Sequence, residues 1–170
     1  MYTIDDLIRE LREARKSGEL SAVQEAVRHA VAEKPLVADV GRMQVLHDEP
    51  GLMVLHTAVA CGITSPPHDH RTWAVIGVYN GQEDNTFYRL VPDTRAIEAA
   101  GGRSLQERDV LTLGPDAIHK ISNPRREALV ALHVYGLNVL KIDRSAWDLA
   151  TMRERPFVVK LDGLRASGDR

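Results

Sequence analysis

The run Pro66-Pro67-His68-Asp69-His70-Arg71-Thr72-Trp73 decides how the rest of the chain is read. Two histidines separated by one residue lie on the same face of a β-strand, about 7 Å apart along it, so a strand can aim both imidazoles at one ion. On a helix the same spacing would splay them about 200° apart. Imidazole suits iron, zinc, nickel and copper. A lone His-x-His pair is weak evidence by itself. A third histidine, His119, stands in Gly114-Pro115-Asp116-Ala117-Ile118-His119-Lys120-Ile121-Ser122-Asn123, which reads as a turn leading into a short strand. Together the two segments predict a three-histidine metal site at His68, His70 and His119.

Strands are the right setting for such a site. From Leu52 onward apolar residues recur with period two, predicting strands at about 52–60, 72–80, 84–91, 105–113, 117–122, 127–135 and 156–161. Turn formers separate them: Gly62, Asn80-Gly81, Pro92-Asp93, Gly101-Gly102, Gly114-Pro115 and Asn123-Pro124. Asn80-Gly81 is the pair expected to close a tight hairpin, because both residues tolerate positive φ. So many short strands argue for an antiparallel sandwich or barrel. Ahead of them lie two helical segments. Thr3 can cap a first helix through Lys16, with Leu7, Ile8, Leu11 and Ala14 on one face. A second runs from about Ser21 to Glu33, with Val23, Ala26, Val27, Ala30 and Val31 on one face. They are expected to cover the β-body or to contribute to a homodimer contact.

The composition is that of one ordinary globular domain. At 170 residues, 44% apolar and 27% charged, the chain can bury a full core. The division expected is a helical segment over 1–35 and a β-barrel over 42–162, within one domain spanning 1–170. A net charge of −2 with no basic stripe argues against a nucleic-acid partner. Cys61 is the only cysteine, so no internal disulfide forms, which suits a reducing cytoplasm. No run approaches the roughly 18 apolar residues of a membrane span. The acidic start, Met1 to Asp6, does not read as a secretory signal.

With Gly62, His68, His70 and Gly81 in the first segment and Pro115, His119 and Asn123 in the second, the sequence resembles the cupins over roughly residues 42 to 144. The resemblance implies a mainly β, double-stranded β-helix barrel (a jelly roll) with the two helices at its N-terminus. The first cupin motif usually adds a metal-binding glutamate; here that position falls near Ala74. Three neutral histidines without the carboxylate are similar to the thiol dioxygenase branch, which acts on cysteine, cysteamine or mercaptopropionate. A second patch sharpens the likeness. That branch carries a Ser-x-His-x-Tyr relay, and His133 and Tyr135 match it, whereas Ala131 replaces the serine. Gly136, next to Tyr135, is closer to the mercaptopropionate enzymes. Val75 stands where a crosslinking cysteine would, and Cys61 does not match it.

The resemblance implies Fe(II) as cofactor, with O₂ and a small, carboxylate-bearing thiol as substrates and a sulfinate as product. His133 and Tyr135 would be catalytic, the tyrosine donating toward the reacting oxygen. Arg144, nine residues past Tyr135, Arg42 or the neighbouring Gln44 would hold the substrate carboxylate. An arginine fork suits that group bidentately. His56 shares a strand side with Leu52, Val54 and Ala58, and is a substrate-contact candidate if that side faces the interior. His29 and His47 are expected at the surface. Two other readings stay open: a metal-dependent cupin dioxygenase of β-diketones or related carbon acids, and a non-enzymatic cupin that holds a small ligand.

Overall fold

The computed structural model describes residues 2–33 and 42–157. Helix α1 spans Ile4–Lys16 and α2 spans Leu20–Glu33. Thr3 and Asp6 cap α1 reciprocally: the Asp6 amide donates to Thr3 Oγ1 at 3.2 Å and the Thr3 amide to Asp6 Oδ2 at 2.9 Å. Eleven strands follow among the described residues: β1 Met43–Glu49, β2 Leu52–Val59, β3 His68–Asp69, β4 Ala74–Asn80, β5 Gln82–Leu90, β6 Ile97–Gln106, β7 Val110–Leu113, β8 Ile118–Ser122, β9 Leu129–Tyr135, β10 Ser145–Trp147 and β11 Glu154–Pro156.

They form two antiparallel sheets, ordered β1-β2-β9-β4-β7 and β11-β10-β3-β8-β5-β6. The fold is therefore the expected mainly β, double-stranded β-helix barrel with two N-terminal helices. The inner faces enclose Met53, Leu55, Ile76, Leu105, Leu111, Leu129 and Ala131. The outer face of the first sheet is covered by the helices, through Leu7, Leu11, Val27 and Val31 against Val54, Val75, Leu132 and Val134. Burying each of those helix side chains contributes at most about 1.5–3 kcal/mol. Gly77 in β4 lets α2 sit this close, because a Cβ there would lie 2.7 Å from the Cγ1 atoms of both Val27 and Val31.

Several strand readings need correction. β1 was not anticipated; it is an edge strand without clean alternation. His47 belongs to it, partly buried and 3.1 Å from Glu49, rather than to an exposed turn. Asn80-Gly81 does not close a hairpin, since β4 and β5 belong to different sheets; it is a corner between them. The expected strand 105–113 divides at Arg108, whose φ is 73°, into β6 and β7. Gly101-Gly102 is not a turn but lies within β6, beside a register shift opposite Phe87 and Tyr88. Of the expected strand 156–161, only Pro156 lies in a strand, as the last residue of β11; Phe157 follows that strand, and residues 158–161 lie outside the described residues.

Candidate metal centre

His68 and His119 are register partners across β3 and β8, which sets their rings side by side. His70 lies just past β3, where Arg71, with φ of 55°, turns the chain, so the His-x-His pair is not carried on one continuous strand. All three are buried, and one ligand nitrogen from each lies within 4.8 Å of the others. Nε2 of His70 and Nε2 of His119 are 3.3 Å apart. With metal–nitrogen bonds of about 2.0–2.1 Å, donors on neighbouring vertices of one ion stand roughly 3.0–3.4 Å apart. The spacing fits.

Two of the three outer nitrogens are committed elsewhere, whereas His70 Nδ1 is buried without a hydrogen-bond partner among the described residues. His68 Nδ1 donates to the Pro66 carbonyl at 2.9 Å, and a carbonyl only accepts, so Nε2 is left as the lone pair. His119 Nδ1 donates to Asn85 Oδ1 at 2.7 Å, with the same consequence. His70 is placed by packing, its ring 5.0 Å from His68 and 5.1 Å from Tyr135. Burial keeps the three uncharged: His68 is pushed down to about 4, and His70 and His119 well below the usual imidazole range, helped by their mutual proximity and Arg144. Neutral imidazoles are the form that ligates. Among the described residues no Asp, Glu or Cys joins this group of ligand atoms.

His133 and Tyr135 reach the same space from the opposite sheet. Both lie on the inner face of β9, and His133 Nδ1 is 3.1 Å from the Tyr135 hydroxyl. Ala131 lies two residues back on that face, fully buried. Thr57, its register partner, has a hydroxyl, but donates it to the Ala131 carbonyl at 3.4 Å.

Arg144 is also brought to the cup. It is 8% exposed, donates from Nη1 to the Asp69 carbonyl at 3.0 Å and lies 4.5 Å over the Phe157 ring. Phe157 stacks on His68 at 4.8 Å with an interplanar angle of 5°. Burial lowers the Arg144 pKa, and Tyr135 and Asp69 oppose that shift. The other substrate-contact candidates are placed elsewhere. His56 does not face the interior: the inner residues of β2 are Met53 and Leu55, and His56 shares the outer face with Leu52 and Val54, its ring 5.7 Å from Tyr79. Gln44 is the register partner of His56 on that outer side, and Arg42 lies exposed ahead of β1, two strands from β9. His29 is exposed on α2 and bonded to Glu10 at 2.9 Å. Asn123 ties its turn together, donating to the Val59 and Glu127 carbonyls, both at 2.9 Å.

Three contributors were missed by the sequence reading: Asn85, Phe157 and Glu83. Glu83 is fully buried on the inner face of β5, where Asn85 Nδ2 donates to its Oε1 at 3.0 Å. Its Oε2 lies 3.8 Å from His133 Nε2. Burial raises its pKa to about 7 and lowers that of His133 to about 3, so between those values both groups are uncharged and the pair is not a salt bridge. No sequence signal marks it, since Gln82 to Thr86 is wholly polar and only the pairing with β6 sets Glu83 opposite the apolar Leu105.

No family model matches the chain. The structure is similar to an rmlc-like cupin family protein with a double-stranded β-helix fold from Methanocaldococcus jannaschii, at 14% identity over 62% of this chain and 89% of that one, with a TM-score of 0.49. It is similar to a Cupin 2 conserved barrel domain protein from Salinispora arenicola, at 22% identity over 65% and 78%, with a TM-score of 0.44. An oxalate oxidase in complex with glycolate matches at 16% identity over 51% of this chain and 42% of its own, so the match spans less than half of that protein, with a TM-score of 0.43. No helix among the described residues is long and apolar enough to cross a membrane. The geometry itself describes a mainly β barrel of two antiparallel sheets whose interior holds three neutral histidines arranged to bind one metal ion.

Proposed function

We propose that the chain is an Fe(II)-dependent dioxygenase that converts a small, carboxylate-bearing thiol to its sulfinate, RSH + O₂ → RSO₂H. Both oxygen atoms end on sulfur, which supplies the four electrons, so no other reductant is needed. The observation that carries the substrate class is Arg144, a buried guanidinium beside a ligand set that contains no carboxylate. A divalent ion on three neutral histidines keeps its full charge, and Arg144 adds one more. A thiolate with a carboxylate brings two negative charges to that excess. The thiol of such a substrate ionises readily beside a dication. Iron, rather than another divalent metal, follows from the resemblance at His68, His70, His119, His133 and Tyr135.

When bound, Fe(II) supplies positions for the thiolate and O₂ together with the redox chemistry that couples them. The chain does the rest. His68, His70 and His119 present their Nε2 atoms on one side and leave the other for substrate. Arg144, its guanidinium held by the Asp69 carbonyl and Phe157, orients the substrate carboxylate. Tyr135 keeps its proton, because burial raises its pKa, and so remains a hydrogen-bond donor. His133 holds the Tyr135 hydroxyl in place.

The test is anaerobic reconstitution with Fe(II), followed by oxygen uptake with 3-mercaptopropionate, cysteine, cysteamine or acetylacetone and a His119→Ala control. Uptake with a carboxylate-bearing thiol, matched by sulfinate and lost in the control, is expected. Uptake with acetylacetone alone would move the chain to carbon-acid chemistry. Iron binding without uptake on any of the four would overturn the assignment for these substrates.

A further inference from the structure

We propose that Glu83 is the positioning residue that sets the tautomer of His133, and through it the direction in which the Tyr135 hydroxyl points its proton. The inference uses the functional reading above only to give that proton a purpose; the tautomer is a property of the metal-free chain.

Glu83 Oε2 and His133 Nε2 face each other at 3.8 Å, and neither has a hydrogen-bond partner among the described residues. Both are sealed from solvent, Glu83 completely. A buried polar atom without a partner is destabilising, so two of them facing one another favour a bond that closes the gap by less than about 1 Å. Thr57 does not compete, because its hydroxyl is already used by the Ala131 carbonyl. Ala131 itself offers nothing. Glu83 is therefore the side chain that faces the unpartnered nitrogen of His133.

The direction of each bond follows from donor counting. Asn85 Oδ1 accepts from His119, so its Nδ2 is the donor toward Glu83 Oε1. A carboxyl that accepts at Oε1 and is buried without a cation carries its own proton on Oε2. That proton goes to His133 Nε2. His133 then holds its hydrogen on Nδ1 and donates it to the Tyr135 oxygen at 3.1 Å. A tyrosine oxygen that accepts from His133 has its own O–H free to donate into the cup. Were Glu83 apolar, nothing would bias His133 against the other tautomer, in which Tyr135 spends its proton on Nδ1. The carboxyl also reaches the metal ligands, since Asn85 bridges it to His119. One buried acid thus orients groups on both sheets.

The experiment is ¹⁵N NMR of the histidine rings in the metal-free full chain, at a pH below about 7, where Glu83 keeps its proton. Wild type, Glu83→Gln and Glu83→Leu are compared, with circular dichroism to confirm that each is folded. Glutamine can donate to Nε2 through its amide and accept from Asn85, as the neutral acid does; leucine can do neither. Wild type and Glu83→Gln should show His133 protonated on Nδ1, whereas Glu83→Leu should shift toward the Nε2–H form. In the Fe(II)-loaded protein, Glu83→Leu should lower kcat for the thiol about tenfold or more with little change in KM, and Glu83→Gln should recover most of it. An Nε2–H tautomer in wild type, or one tautomer common to all three proteins, would overturn the proposal. Because the ring shifts are read without metal or substrate, a chain inactive on thiols but showing the tautomer change would sink the functional reading and leave this one standing.

Discussion

His119 is held from behind by Asn85, whose Oδ1 accepts the Nδ1–H at 2.7 Å while its Nδ2 donates to Glu83. The bond fixes both the rotation of the imidazole and the nitrogen it offers to a metal. Partners behind ligands of this kind are commonly worth about 10–100-fold in metal affinity. Asn85→Leu should therefore weaken Fe(II) or Zn(II) binding by about 10- to 100-fold, measured by competition with a chelating dye. Asn85→Asp, which keeps an acceptor toward His119, should lose less. Equal affinities across wild type and both variants would show that packing alone orients the ring.

Arg144 predicts a discrimination between substrates rather than a general loss. Replacing it with lysine keeps a charge but removes the bidentate fork. KM for 3-mercaptopropionate should rise about 10- to 100-fold, the equivalent of one or two charge-assisted hydrogen bonds. Cysteamine lacks the carboxylate, so its kinetics should hardly respond. Steady-state oxygen uptake with the two thiols decides the matter. An equal effect on both would mean that Arg144 supports the fold through Asp69 and Phe157 without touching substrate.

The buried imidazoles make the metal-free protein sensitive to acid. His68 and His133 are lowered to about 4 and about 3, and His56, His70 and His119 are lowered as well. Between the unfolded value near 6.5 and these folded values, the unfolded chain binds protons that the native chain refuses, so stability falls as pH drops. Glu83 works in the opposite sense: its native pKa is raised to about 7, so its contribution is lost as pH rises through that value. Five imidazoles outweigh one carboxyl. The urea midpoint should drop steeply from pH 7 to pH 5, and added metal should raise it more at pH 7 than at pH 5, because protons compete for the ligands. A midpoint that is flat or rises on acidification would contradict the burial of these rings.

What could be read from sequence, and what could not, tracks how many faces of a strand are buried. The helices are marked by Thr3, by their apolar stripes and by Ser17-Gly18. The histidines at 68, 70 and 119 are polar residues inside strand patterns, and that anomaly is visible without coordinates. β2 has no such marker. All eight of its residues are buried, because one face meets the barrel interior and the other meets the helices. Alternation vanishes on such a strand, so the sequence does not say whether the face shared by Leu52, Val54 and His56 turns to the interior. Glu83 and Asn85 were hidden for the opposite reason. Gln82 to Thr86 is wholly polar, so hydropathy gives no phase, and only the pairing with β6 sets Glu83 opposite Leu105. Phe157 reaches His68 through β10 and β11, two three-residue strands too short for a periodic signal.

Gly77 offers a test of the fold that leaves the metal cup aside. It sits on the outer face of β4, opposite Leu132, and a Cβ there would meet the Cγ1 atoms of Val27 and Val31 at 2.7 Å. Valine on a helix has one strongly preferred rotamer, so neither side chain can rotate away cheaply. Gly77→Ala should therefore push α2 outward and destabilise by about 1–3 kcal/mol, as overpacking does. Val27→Ala alone should also destabilise, by leaving a void under the helix. The two together should cost less than their sum by more than about 0.5 kcal/mol, since the smaller residue gives the new methyl room. Denaturant unfolding of the four proteins measures the cycle, and metal affinity should stay unchanged throughout because the histidines lie across the sheet. Additive costs would show that α2 does not pack on β4 as closely as Gly77 permits.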